Sequence, residues 1–118
     1  IVVSPIELGV EICYPAPEIE ANLGFDSLNP VVEAYKAYMP MPYDRPTWDL
    51  TSVVYAVEGY RWFTGRTRGT ITIDEAGLSR FVPSPDGDHV VLRVDSESRH
   101  VFLRRLVDLT VSHSSKKN

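Results

Sequence analysis

The stretch Arg45-Pro46-Thr47-Trp48-Asp49-Leu50-Thr51 decides how this chain is read, because it carries an irregular segment into a helix and sets an indole and a carboxylate at the junction. Thr47 has N-cap chemistry: its hydroxyl can accept a backbone N–H that the first helical turn leaves without a partner. Leu50, Val53, Val54 and Val57 follow at helical spacing, so an amphipathic helix is expected from Thr47 to a stop at Gly59. Asp49 then lies in the first turn, where the helix dipole favours a carboxylate. An exposed carboxylate beside a large indole suits a polar ligand or a hard cation. It also suits a plain surface helix, and spacing alone favours that capping role.

Working back from this stretch, Pro40, Pro42 and Pro46 predict an extended connector. Before it, Asn29-Pro30 is a helix start, with Asn capping and Pro in the first turn. That helix is expected to run from Pro30 to about Met39 with Val31, Ala34, Tyr35 and Tyr38 on one face. Pro17 to Leu23 reads as a short helix stopped at Gly24, and the residues from Pro5 to Pro17 read as irregular. The opening Ile1-Val2-Val3-Ser4 is β-branched and apolar on both faces, as in a strand buried inside a parallel sheet. Its neighbours are not evident nearby, so the chain is expected to be a piece of a larger protein.

Beyond Gly59 the period changes to two. Thr70-Ile71-Thr72-Ile73-Asp74 and Ser79-Arg80-Phe81-Val82 alternate around the turn Glu75-Ala76-Gly77, and Pro83 to Asp88 forms a second turn into His89-Val90-Val91-Leu92-Arg93-Val94. These three runs predict an antiparallel meander. A last helix follows from Glu97, with Ser96 as its cap and Val101, Phe102, Leu106, Val107 and Leu109 as its buried stripe. The fold class expected is α/β: one parallel-sheet strand, helices, and a small meander before a terminal helix, with residues 1–118 forming part of a single domain.

With 118 residues, 43% of them hydrophobic, the chain can bury one modest core. Twelve Lys and Arg stand against 16 Asp and Glu, a net charge of −4 that argues against a nucleic-acid binder. The basic pair Lys116-Lys117 reads as a solvated tail. Cys13 is the sole cysteine, which excludes an intrachain disulfide and a cysteine-based zinc site. No apolar run is long enough to span a bilayer.

His89, His100 and His113 are not spaced as metal ligands, and no serine sits in a nucleophile elbow. Asp86-Gly87-Asp88 lacks the alternating oxygen ligands and distal glutamate of a calcium loop and reads as a turn. Glu7 is a candidate for substrate binding, because ligands in open α/β sheets sit outside the carboxyl ends of strands and Glu7 follows the opening strand. Calcium takes about six to eight oxygen ligands, so Asp49 cannot assemble such a set from this chain alone.

Ile1-Val2-Val3-Ser4-Pro5-Ile6-Glu7-Leu8-Gly9, Asn29 to Tyr35, and above all Arg45 through Val57 resemble the C-terminal part of bacterial inosine–uridine-type nucleoside hydrolases. The resemblance continues through Gly69 to Asp74 and on to the last helix. It implies an α/β core around a mostly parallel sheet and hydrolysis of the N-glycosidic bond between base and ribose. It further implies a calcium ion that binds the ribose hydroxyls and a nucleophilic water. An N-terminal aspartate cluster would supply most of the metal ligands and the general base, with Asp49 completing the shell.

Two departures stand out. The aspartate cluster and the ribose-binding asparagine and glutamate would lie before Ile1. Many family members also carry a histidine immediately before the late aspartate, able to protonate the leaving base; here that place is Trp48. An indole cannot act as a general acid, but it can stack on a base. The partners implied are the N-terminal portion of the same protein and a nucleoside, and a homo-oligomer is compatible with the sequence. The rival reading is a non-catalytic ligand-binding or structural module on the same fold.

Overall fold

The longest strand, β4 (Gly65–Ile73), has both edges paired in the computed structural model, which describes residues 1–23 and 29–111. Its second half pairs antiparallel with β5 (Ser79–Pro83), from Gly69↔Pro83 to Ile73↔Ser79. Its first half pairs antiparallel with β6 (His89–Arg93), from Gly65↔Arg93 to Gly69↔His89. The outer edge of β6 takes β1 (Val2–Val3) in parallel, with Val2↔Val90 and Val3↔Val91. The sheet order is therefore β1-β6-β4-β5.

Two expectations are corrected here. The three C-terminal strands are not a consecutive meander, because β6 crosses to the opposite edge of β4. Glycines permit the crossing: a Cβ on Gly87 would stand 2.0 Å from the Gly69 carbonyl oxygen. Ser84 N–H donates to the Arg68 carbonyl at 3.0 Å and the Arg68 guanidinium donates to the Gly87 carbonyl at 3.0 Å, pinning the crossing. In addition, β1 finds one neighbour, β6, within this same chain, and it lies at the sheet edge with Val2 and Val3 half-buried, not inside a parallel sheet as expected. The β4–β5 turn is as expected: the Asp74 carboxylate accepts from Ala76 and Leu78 N–H at 3.0 and 2.9 Å, and Gly77 supplies φ +82°.

The segment expected to be irregular holds α1 (Ile6–Glu11), a two-residue strand β2 (Cys13–Tyr14) and the start of α2 (Ala16–Leu23). Pro15 and Pro17 frame the start of α2 rather than breaking it, since a helix's first turn needs no N–H from proline. The Asp44 carboxylate accepts from Ala16 N–H there at 2.9 Å. The stop placed at Gly24, His113 and the Lys116-Lys117 tail lie outside the described residues. Helix α3 (Pro30–Tyr38) starts as read, with the Asn29 side chain accepting from Val31 N–H at 2.9 Å. Its buried residue is Val32; Ala34 and Tyr38 are exposed, so the helix is rotated from the expected face. The connector then closes β3 (Arg45–Pro46) antiparallel onto β2.

Helix α4 (Leu50–Glu58) ends at Gly59, as expected, with φ +66°. Of the expected apolar series only Val54 turns inward. Thr51 and Val54 are 0% and 3% exposed, whereas Leu50, Val53 and Val57 are 44%, 55% and 71% exposed. Polar anchors turn it: Thr51 bonds Ser4, and Glu58 at the far end meets Arg105. A 3₁₀ turn (Gly59–Trp62) leads to β4, and a second (Ser96–Ser98) leads to α5 (Arg99–Val111). Ser96 lies within that turn rather than capping α5.

Phe102, Leu106 and Val107 of α5 are buried, Leu109 is half-buried, and Val101 is exposed, against expectation. Phe102, Leu106 and Val107 close the core with Leu8 and Ile12 of α1, Ile19 of α2, Val32 of α3, Val54 of α4 and Leu92 of β6. Among the described residues no helix is long and apolar enough to cross a membrane.

Candidate functional site

The Trp48–Asp49 turn lies beside the end of β1 and rests on α1. Thr47 is buried, and its N–H is shared between the carbonyls of Gly9 and Ile12 at 2.9 and 3.0 Å. Its hydroxyl donates to the Gly9 carbonyl at 3.4 Å. Thr47 therefore ties the turn to the end of α1 and does not cap α4, which corrects the expected N-cap. Gly9 makes the close approach feasible, since a Cβ there would lie 2.6 Å from the Trp48 carbonyl oxygen and 2.8 Å from its Cα.

Trp48 has φ +46°, a left-handed backbone conformation that costs a bulky residue of order 1–3 kcal/mol unless its surroundings impose it. Here they do. The Thr47 carbonyl accepts from Leu50 N–H at 2.9 Å, and the Trp48 carbonyl accepts from the Thr51 hydroxyl at 3.3 Å. The Ser4 hydroxyl, directly after β1, forms a short hydrogen bond with the Thr51 hydroxyl. Strand end, turn and helix start are thus one hydrogen-bonded unit.

Asp49 occupies the N-cap position of α4, one residue before the helix and not inside its first turn. Its carbonyl accepts from Ser52 and Val53 N–H at 3.0 and 3.2 Å, while its carboxylate caps nothing. The carboxylate is exposed and has no hydrogen-bond or ion-pair partner among the described residues. Trp48 beside it is 43% exposed.

The connector that precedes the turn carries an aromatic cluster. The Tyr35 and Tyr43 rings stack at 5.4 Å, the Tyr43 hydroxyl donates to the Tyr35 carbonyl at 2.6 Å, and the Arg45 guanidinium lies 3.8 Å over the Tyr38 ring. Burial raises the Tyr35 phenol above its ordinary pKa, with the neighbouring Tyr14 and Tyr43 adding to the rise.

Glu7 is exposed on α1 and faces a hollow of about 260 Å³ shared with Glu11, Thr67, Phe81 and Arg93. Neither Trp48 nor Asp49 lines that hollow, so the fold gathers Trp48 and Asp49 with Ser4 and Thr51 and leaves Glu7 apart. His89 is structural: its Nδ1 accepts from Ile71 N–H at 3.2 Å and braces β6 against β4. No group of three or more His, Cys, Asp or Glu side chains able to hold a metal occurs among the described residues. Asp49 is fit to be one ligand of a hard cation, with the Ser4 and Thr51 hydroxyls close behind the turn. The rest of a calcium shell would have to come from outside these residues.

The chain matches no protein-family model, no curated protein and no solved structure.

Three residues that build the site were not picked out from the sequence: Ser4, Gly9 and Thr51. Ser4 and Thr51 are 47 positions apart, and no local pattern announces a hydroxyl pair across that distance. A small residue on the packed side of a short helix is the one local signal Gly9 gives.

Proposed function

We propose that this chain is the C-terminal portion of a calcium-dependent N-ribohydrolase of the inosine–uridine nucleoside hydrolase type, and that Asp49 is its late metal carboxylate. The observation that carries the reading is the partnerless Asp49 carboxylate on a turn whose backbone and hydroxyls are otherwise tied to β1 and α1. Such rigidity serves a ligand more than a helix cap, because the carboxylate does no capping. Its place beside the end of a parallel strand is where open α/β sheets bind ligands.

The exposed apolar side of α4, formed by Leu50, Val53 and Val57, supports the same reading. So do exposed Ile6 and Val10 on α1, since these are surfaces that the rest of a larger domain would cover. The fold proposed is accordingly the C-terminal part of a nucleoside hydrolase-like domain, with its N-terminal portion as partner.

Within this proposal the calcium, when bound, would supply Lewis acidity to a water and to the ribose hydroxyls. This chain's share is to fix Asp49 and to offer the Trp48 indole as a stacking surface for the base of a ribonucleoside. The Trp48 indole N–H is far too weak an acid to protonate the leaving base, so acid catalysis falls to a group outside the turn. Glu7, lining a separate hollow, has no part assigned.

The second reading is a calcium-dependent riboside-binding module without turnover, favoured by that missing acid. Release of reducing sugar from inosine and uridine by the full-length protein, with calcium or with a chelator, separates the two. Calcium-dependent release supports the hydrolase. Calcium-dependent nucleoside binding without release supports the module, and the absence of both refutes each.

A further inference from the structure

The α5 residues His100, Val101, Arg104, Arg105 and Asp108 recur at helical spacing and line one side of a hollow of about 440 Å³, with Arg61 and Trp62 of the first 3₁₀ turn on the other. In a chain of net charge −4 this gathers three guanidiniums and an imidazole around one indole.

The guanidiniums differ in how far they are committed. Arg105 is held by Glu58 in a two-pronged pair, and the Trp62 indole N–H also donates to Glu58. These three side chains form the fixed wall. Arg61 lies 4.9 Å over the Trp62 ring and makes no ion pair with any described residue. Arg104 reaches Glu18 only at 3.7 Å with its own side chain 63% exposed, a pairing of a kind worth little in water. Arg61 and Arg104, on two different elements, are thus the less firmly held of the three guanidiniums and can turn toward one ligand. Asp108 is the single acid on the lining that opposes an anion.

We propose that this hollow binds a phosphate monoester, with Arg61 and Arg104 on its terminal oxygens and its organic part against Trp62 and Val101. A carboxylate offers two oxygens, which one guanidinium can occupy alone. A phosphate monoester offers three and close to two negative charges, enough for both forks. The volume lies within the range of small-molecule pockets, about 300–1,000 Å³, and leaves room for more than an inorganic ion. The organic group expected is therefore a flat one, as in a nucleoside monophosphate. This site is independent of the Asp49 turn and of the hydrolase reading.

The test uses the two-tryptophan chain with Trp48→Phe, so that Trp62 fluorescence reports alone. Adenosine monophosphate, inorganic phosphate and adenosine are titrated separately. Saturable quenching by the monophosphate, with adenosine silent, supports the site. Phosphate binding as tightly as the monophosphate would show that the organic group adds nothing at Trp62 and Val101, and would overturn the monoester assignment. Arg61→Ala with Arg104→Ala, both at exposed positions, should weaken binding by about tenfold to a hundredfold while the circular-dichroism spectrum is unchanged. Unaltered binding in that variant, adenosine binding as well as its phosphate, or no saturable response to either anion would overturn the proposal.

Discussion

Replacing Gly9 by alanine tests the seating of the Trp48–Asp49 turn, because two effects of opposite sign meet at this position. Gly9 lies within α1, where alanine is favoured over glycine by about 1 kcal/mol. The added Cβ would meet Trp48 backbone atoms at 2.6, 2.8 and 3.0 Å, with no flexible side chain to yield. The turn must then move off α1, stretching the 2.9 Å bond from Thr47 N–H to the Gly9 carbonyl. Overpacking of this kind costs about 1–3 kcal/mol, and a weakened buried hydrogen bond adds about 1 kcal/mol. The net expectation is a loss of about 1–3 kcal/mol, or roughly 4–12 °C in Tm for a chain of this size. Thermal unfolding followed by circular dichroism measures it, and Trp48 fluorescence should shift at temperatures where the fold is intact. Val10→Ala, at an exposed position of the same helix, is the control and should change stability by no more than about 0.5 kcal/mol. A Gly9→Ala chain as stable as the parent or more so would show that helix propensity wins and that the turn does not rest on Gly9.

Gly87→Ala should cost about 3 kcal/mol or more, since its Cβ would overlap the Gly69 carbonyl where β6 crosses β4; urea unfolding measures this. Asn29→Ala removes the cap of α3 and should lower stability by about 1 kcal/mol in the same assay. Glu58 is held below the ordinary carboxylate range, first by its hydrogen bonds from Arg105 and then by that from Trp62. Because its folded pKa is depressed, the stability it contributes is present above the unfolded value of about 4.3 and is lost as pH falls through the folded value. The parent should therefore exceed Glu58→Gln in Tm at pH 7, with the gap closing at still lower pH than an unpaired glutamate would allow. A gap independent of pH would contradict this.

Local chemistry made much of the fold legible. The Asn29-Pro30 start, the Gly59 stop and the Asp74–Leu78 turn each satisfy backbone groups within a few residues, and each formed as read. The parallel character of β1 was legible in its β-branched run, but its partner was not, since pairing with β6 spans almost the whole chain. The sheet order failed for a related reason. Alternation marks a strand without saying which edge of β4 it will take, and the Gly69–Gly87 contact that settles this is tertiary.

Of the apolar series Leu50, Val53, Val54 and Val57, only Val54 lies on the inner face of α4. Hydroxyl and carboxylate anchors at Thr51 and Glu58 override a hydrophobic stripe when the stripe has nothing in the chain to pack on. At the site, Trp48 and Asp49 could be singled out because the helix begins beside them. The strained Trp48 backbone could not, because φ there is imposed by Gly9, Thr47 and Thr51 together.

The role assigned to Asp49 is tested most directly by the calcium affinity of the full-length protein and its Asp49→Asn variant, measured by calorimetry alongside Tm in chelator. With the carboxylate unbonded in the fold, the two metal-free Tm values should agree, while calcium affinity drops by at least about tenfold in the variant. Equal affinity in the two proteins, or a parent that takes up no calcium, would contradict the assignment.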